Sequence, residues 1–414
     1  LAALYGAVAL CVRRRDDPSD PPPSFLLRAG SVFGLLAFVS QLALFPFGLM
    51  LQRYARSPIE KFLESGHVVA AYREGLTETV TYLVRAPWGF PVAYRLVTNS
   101  HSMSGTEYGS LRYMSYFVYL PVALHPHAET ALQISYGVGV TAKALSETRG
   151  LRRIDLVDIS RDILDLGRVV FPRPGTLPLD DPRFHVHVED GRFFLLTTDR
   201  RFDIITAEPP PPKNAGIVNL YSREFFALAK SRLNPGGLVS YWFPVYQASA
   251  EETRSMMKAF CDVFEDCTLW TGYGLEWMMV GSNGFKGPIG MEAFERQWKD
   301  KAVAESLKPL GFEKPEMFGA TFLSDATQLK EMLGEALPLD DDHPLRISTK
   351  IGKVVGPFYL GMMDVSRARR AFESSAWIRE HWPAELRERT LPAFAEQGLA
   401  NLGDGLALGR LRLP

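Results

Sequence analysis

Cysteine is nearly absent. Three occur in 414 residues, Cys11, Cys261 and Cys267, and none belongs to a C-x-x-C pair, which argues against a zinc site or a disulfide framework. Cys261 and Cys267 could bond in an oxidising compartment. The expectation is two reduced thiols, one on a helix and one on the next strand. A charge surplus is lacking too: 46 Lys and Arg stand against 47 Asp and Glu. Nucleic-acid binders normally carry a basic excess, so no nucleic-acid partner is expected. No internal repeat is visible. His125 with His127, and His185 with His187, each set two imidazoles on one face of a strand. No carboxylate or thiol completes either set in sequence, and no metal is expected.

Long apolar runs are few, and the one that stands out is Ser31–Leu51 (SVFGLLAFVSQLALFPFGLML). It has no charged residue and is long enough to cross a bilayer core of ~30 Å. Arg28 and Arg53 flank it, and Leu1–Val12 ends at Arg13-Arg14-Arg15 in the manner of an earlier membrane helix. A transmembrane segment over 1–52 with a lipid-bilayer partner is therefore expected. The positive-inside rule slightly favours the loop 13–30 as cytoplasmic, which would put the α/β domain outside, but the basic counts on the two flanks are close. A domain that uses a nucleoside cofactor is expected on the cytoplasmic side, where that cofactor is supplied.

The informative stretch is Ala131 to Glu208. Four short apolar runs each end in a glycine turn or a carboxylate: Ser135-Tyr-Gly137-Val-Gly139, Asp158, Asp190-Gly191 and Glu208. Helix-like segments separate them. In a parallel sheet the residues past the strand C-termini line one crevice, where ligands bind. Glycines let backbone approach a ligand, and an acid about 20 residues after the glycine turn is placed for ribose hydroxyls. The plan is that of a nucleoside-binding α/β domain over 126–285. Before it, 53–125 holds alternating, β-branched runs punctuated by Gly75 and Pro87…Gly89…Pro91, which predict a small antiparallel β subdomain. After it, 286–414 is mostly helical by pattern.

Other residues carry a resemblance. Asn99-Ser-His-Ser-Met103-Ser-Gly105-Thr106, the Gly137 and Asp190-Gly191 turns, Glu208-Pro-Pro, Leu220-Tyr221-Ser-Arg-Glu224-Phe-Phe, Trp242-Phe-Pro244-Val-Tyr246-Gln247 and Asp341-Asp342-His343-Pro344 fall in order. Together they resemble the spermidine synthase (polyamine aminopropyltransferase) family, and within it the bacterial membrane-fused branch. The match covers about 67–285. The resemblance implies a Rossmann-like, class I methyltransferase-type sheet preceded by the β subdomain and the membrane segment. It also implies an inner-membrane location, a homodimer, and a small-molecule amine substrate.

That family moves an aminopropyl group from decarboxylated S-adenosylmethionine to an amine. Carried over residue by residue, Glu208 would accept the amine proton as the catalytic residue, with Glu where Asp is usual. Asp158 would hold the ribose hydroxyls and Asp190 the adenine amino group. Ser135, Gly137, Gly139 and Gly191 would form the cofactor turns, and Tyr113, Tyr221, Tyr246 and Gln247 the acceptor pocket. As bland alternatives, Asp190 would be a helix cap, Glu208 a solvated turn residue, and the tyrosines core. Departures concentrate in the amine half. Val138 replaces the acid that would meet the aminopropyl ammonium, Met103 replaces a glutamine, Met114 and Ser115 replace His-Glu, and Pro211 replaces a second acid. Three readings stay open here: an aminopropyltransferase-like enzyme with an altered acceptor, a methyltransferase using intact S-adenosylmethionine, and a non-catalytic nucleoside binder. The late Asp340–His343 segment is read as structural or as a lid.

Overall fold

The structure, a computed structural model, describes residues 25–44, 51–99, 101–212, 216–243, 245–285, 287–344 and 356–407. The chain divides into two compact units, Leu1–Glu60 and Lys61–Pro414.

In the first unit the described apolar run is a helix, α1 (Phe25–Leu44). It starts six residues before the expected span and ends seven before it. Pro46 and the residues around it lie outside the described residues. Among the described residues no helix is long and apolar enough to cross a membrane. The expected transmembrane segment is therefore corrected, and the inner-membrane location and membrane-fused branch are left without support. A short helix, α2 (Arg56–Glu64), follows.

The second unit opens with a four-stranded antiparallel sheet in the order β1-β2-β3-β4: His67–Glu74, Thr79–Arg85, Ala93–Thr98 and His101–Gly105. The inner strand β2 is covered on both faces, Thr81 and Leu83 being buried as well. Val80 and Tyr82 on one face of β2, and Leu96 on β3, are fully buried, while Val68 on the outer strand is exposed. Helix α3 (Tyr108–Leu124) leads to the main sheet, and every residue from Arg112 to Leu124 is buried. A helix apolar all round belongs inside a protein.

The main sheet has eight strands in the order β12-β10-β11-β9-β8-β5-β6-β7. Strands β5 (Thr130–Ile134), β6 (Arg153–Asp158), β7 (Phe184–Val188), β8 (Phe202–Ala207) and β9 (Leu233–Phe243) run parallel to their neighbours. Between them lie α4 (Val140–Glu147), α5 (Arg161–Asp165), α6 (Gly191–Thr197) and α7 (Arg223–Ser231). After α8 (Ala250–Cys261), strands β10 (Thr268–Tyr273) and β11 (Glu276–Ser282) return antiparallel. This is the Rossmann-like, methyltransferase-type α/β fold, with its N-terminal antiparallel sheet.

Two features differ from the sequence reading. The edge strand is β12 (Phe322–Asp325), which comes from the otherwise helical region after 286 and pairs with β10. Cys261 and Cys267 are joined as a disulfide rather than held as two thiols, with Cα atoms 5.4 Å apart. The reason is local. Helix α8 ends at Cys261 and β10 starts at Thr268, so the intervening turn folds the chain back within bridging distance.

Candidate active site

The C-terminal edge of the parallel strands opens into a cavity of about 430 Å³, within the ~300–1,000 Å³ usual for small-molecule sites. The strand order sets its layout. From one side to the other come Trp242 on β9, Glu208 after β8, the Ser135–Gly139 turn after β5, Asp158 on β6, and Glu189 with Asp190 after β7. The β1–β2 hairpin contributes Thr77 and Glu78, and α3 contributes Tyr113 and Met114.

The β5 turn is built on unusual backbone. Ser135, a residue with a Cβ, sits at φ 75°, which costs conformational energy and is found where a site over-determines the chain. Its N–H donates to the Val157 carbonyl (2.9 Å) and its own carbonyl accepts from Gln133 Nε2 (2.9 Å). Gly139 follows at φ 81°, and a Cβ there would meet the Tyr136 hydroxyl at 2.5 Å. Gly191 is required for closeness instead: a Cβ would lie 2.6 Å from Ile134 Cγ2.

Asp158 is 7% exposed. Its two oxygens accept from the Tyr136 N–H (2.7 Å) and the Ser160 N–H (2.8 Å). Burial pushes its carboxyl up to about 6, partly offset by those two N–H bonds and helped by the nearby Glu78. Ser160 Oγ caps α5 through Ile163 N (3.3 Å), so Asp158 is not spent on the cap. Asp190 does cap its helix, accepting from Phe193 N at 2.8 Å, and also lines the cavity.

Glu208 follows the last residue of β8, and its N–H donates to the Ile134 carbonyl (3.3 Å). Its Oε1 accepts from Thr141 Oγ1 on α4. Burial raises the carboxyl to about 8; the Thr141 bond lowers it and the Glu276 charge on β11 raises it. Thr141 Oγ1 also lies 3.4 Å from the Met114 carbonyl. Its hydroxyl can thus donate to an ionised Glu208, or accept from a protonated one while donating to Met114.

The remaining predicted residues separate. Ser135, Gly137, Asp158, Asp190, Gly191, Glu208 and Tyr113 line the cavity. Gly139, Tyr221 and Gln247 are not among its lining residues. Tyr221 is fully buried behind it, its hydroxyl donating to the Pro209 carbonyl at 3.2 Å, so it shapes the loop after Glu208 instead of touching the space. The side chain of Tyr246 lies outside the described residues. Val138 is buried and absent from the wall. Sequence reasoning missed Glu78, which lines the cavity and whose carboxyl is raised by burial while Ser160 and Thr98 bonds lower it. It also missed Trp242 as a wall and Thr141 as the partner of Glu208. Only the T-E-T run after Gly75 could have flagged Glu78, and nothing in it points to a cavity. Arg192, next to Gly191, grips Asp341 of the late acidic segment with both terminal nitrogens and also donates to the Asn219 carbonyl at 3.0 Å. His187 pairs with Asp155 (2.8 Å). Among the described residues no group of three metal-ligating side chains forms.

Five carboxylates line the cavity: Glu78, Asp158, Glu189, Asp190 and Glu208. No Lys, Arg or His does so among the described residues.

Residues 110–273 match the model of the spermine/spermidine synthase domain. A polyamine aminopropyltransferase of Nitrosomonas europaea is 28% identical over 194 residues, 46% of this chain and 59% of that protein. One from Hamiltonella defensa is 26% identical over 235 residues, 55% and 79% of the two chains. The match thus spans about three-fifths of the first relative's length. Among solved structures, a spermidine synthase from Thermotoga maritima aligns with 59% of this chain and 87% of its own, at 17% identity and a TM-score of 0.47. The matched domain encloses the sheet edge and all the carboxylates of the cavity except Glu78, and over it the chain is similar to the spermidine synthase (polyamine aminopropyltransferase) family.

Proposed function

We propose that this chain is a transferase that moves an aminopropyl group from decarboxylated S-adenosylmethionine to an amine, with an acceptor site altered from the family pattern. The observation that carries this is the described wall, which holds five carboxylates and, among the described residues, no Lys, Arg or His. The decarboxylated donor brings a sulfonium and an ammonium and no anion, so each of its charges meets carboxylates. Intact S-adenosylmethionine would bring its own carboxylate among five others, with no described cation to receive it, and buried charges need partners. A helix N-terminus could serve an anion, but Val138, Gly139 and Val140, which open α4, are not part of the described wall. This weighs against methyl transfer.

In the proposed step the neutral amine nitrogen attacks the aminopropyl carbon bonded to sulfur. A carbon–nitrogen bond forms, and the carbon–sulfur pair moves to sulfur, leaving uncharged methylthioadenosine. The proton released by the amine goes to the Glu208 carboxylate, held by Thr141. Asp158 and Asp190 take the ribose and adenine edges, and Glu78, beside Asp158, takes over the cationic end from the acid that Val138 replaces.

The test is product analysis. With decarboxylated S-adenosylmethionine and a mixture of amines, methylthioadenosine should form, and Glu208→Gln should slow it by at least ~100-fold, the usual scale of a lost acid–base group. Formation of S-adenosylhomocysteine from intact S-adenosylmethionine would point to methyl transfer instead.

A further inference from the structure

The strand order separates the two halves of the cavity, and the carboxylates are not shared evenly between them. Asp158 is on β6 and Glu189 and Asp190 follow β7, all on one side of β5. Glu208 follows β8 on the other side, and Trp242 on β9 lies beyond it. Strands are spaced ~4.8 Å apart, so the Asp158 strand lies about 10 Å from that of Glu208 and the Asp190 strand about 14 Å away. On the β9 side the described wall includes Trp242, Leu220, whose carbonyl accepts from the Tyr241 hydroxyl of β9, and Tyr113, which packs against Gly272 of β10. Glu208 is the one carboxylate there among the described lining residues.

The nearest other acid, Glu276 on β11, stands behind the wall. Its Oε2 accepts from Trp242 Nε1 at 2.8 Å, and it is not among the lining residues. Its charge reaches Glu208.

We infer that the acceptor is a primary amine with a single positive charge on an apolar body, an alkyl- or arylalkylamine, rather than a diamine or polyamine. This rests on the aminopropyltransferase reading of the site. When the reacting nitrogen sits at Glu208 and the donor fills the β5–β7 side, the rest of the acceptor must run toward β9. A second ammonium there would leave water for an apolar wall with no carboxylate to receive it, which is costly. The face of Trp242 returns less to an ammonium than a carboxylate does. An apolar body gains there instead by covering the indole, Leu220 and Tyr113.

The test separates binding from turnover. The full chain, saturated with methylthioadenosine at pH 8.5, is titrated calorimetrically with 2-phenylethylamine and with 1,4-diaminobutane. The monoamine should bind at least ~10-fold more tightly, and Leu220→Asp, or Ile217→Asp should the first variant not fold, should raise diamine affinity by ~10-fold, since a partnered charge is worth at least that factor. Equal or tighter binding of the diamine by the unaltered chain, or binding of neither amine, would overturn the inference. Methylthioadenosine release from the decarboxylated donor is measured in parallel. Monoamine preference without release from either amine would sink the transferase reading while leaving the acceptor-side inference standing.

Discussion

Glu208 and Thr141 act as a unit. A base with its carboxyl raised to about 8 is mostly protonated at neutral pH, so the rate under kcat/KM conditions should climb with pH and level off above about 8. Thr141→Val removes the one bond that holds the carboxyl down and should move that limb upward by ~1 pH unit; Thr141→Ser should leave it in place. An unmoved limb in the valine variant would show that Thr141 does not govern Glu208. Stability should run the other way. The folded chain holds the Glu208 proton from the ordinary 4.5 up to about 8, whereas the unfolded chain releases it at 4.5. Over that window the native state binds more protons, so this group's contribution to stability falls as pH rises. Glu208→Gln should therefore gain thermal stability relative to the unaltered chain between pH 5.5 and 8. A melting difference that is flat with pH would contradict the raised carboxyl.

At the scale of elements, α3 is the strut between the two sheets and the C-terminal helices. Arg112 on it is 4% exposed. It donates to the carbonyls of Gly272 (2.9 Å) and Leu310 (2.6 Å) and to Gln397 Oε1 (2.6 Å), with its guanidinium over the Phe312 ring. Arg112→Ala removes three buried hydrogen bonds, leaving Leu310 O only the Tyr108 hydroxyl, and leaves a void, and should cost about 3–5 kcal/mol, measurable by urea unfolding. A loss under 1 kcal/mol would show that these ties are replaceable. None of this was visible in sequence, because all three partners lie more than 150 residues away. Strands β5 to β8 were legible for the opposite reason: each is a short apolar run followed at its end by a glycine turn or a carboxylate. Strand β12 has four residues, FLSD, too few to show a period inside a helical region. The Ser31–Leu51 run misled because hydropathy gives apolar length and not where the helix starts and stops. Cys261 and Cys267 misled because spacing alone does not show the turn that brings them together. Asp158, Asp190 and Glu208 could be placed because strand-end position follows from sequence order. Glu78 could not, since its relevance depends on how the β1–β2 hairpin meets the cavity. Tyr221 was a family match that the fold puts behind the wall.

For the whole molecule, the consequence of a cavity lined by five described carboxylates is coupling between ligand charge and protons. Burial raises the Glu208 carboxyl to about 8, so at pH 7 the site holds a proton that an arriving cation would expel. Binding of the decarboxylated donor at pH 7 should release protons, seen as a binding heat that changes with the ionisation enthalpy of the buffer; a heat independent of buffer would contradict this. The central claim, that the wall selects a donor without a carboxylate, is tested most directly by calorimetric titration of the full chain with decarboxylated and with intact S-adenosylmethionine under one condition. The decarboxylated form should bind at least ~10-fold more tightly, the factor that ~1.4 kcal/mol of unpaired charge imposes. Equal or tighter binding of the intact form would contradict it.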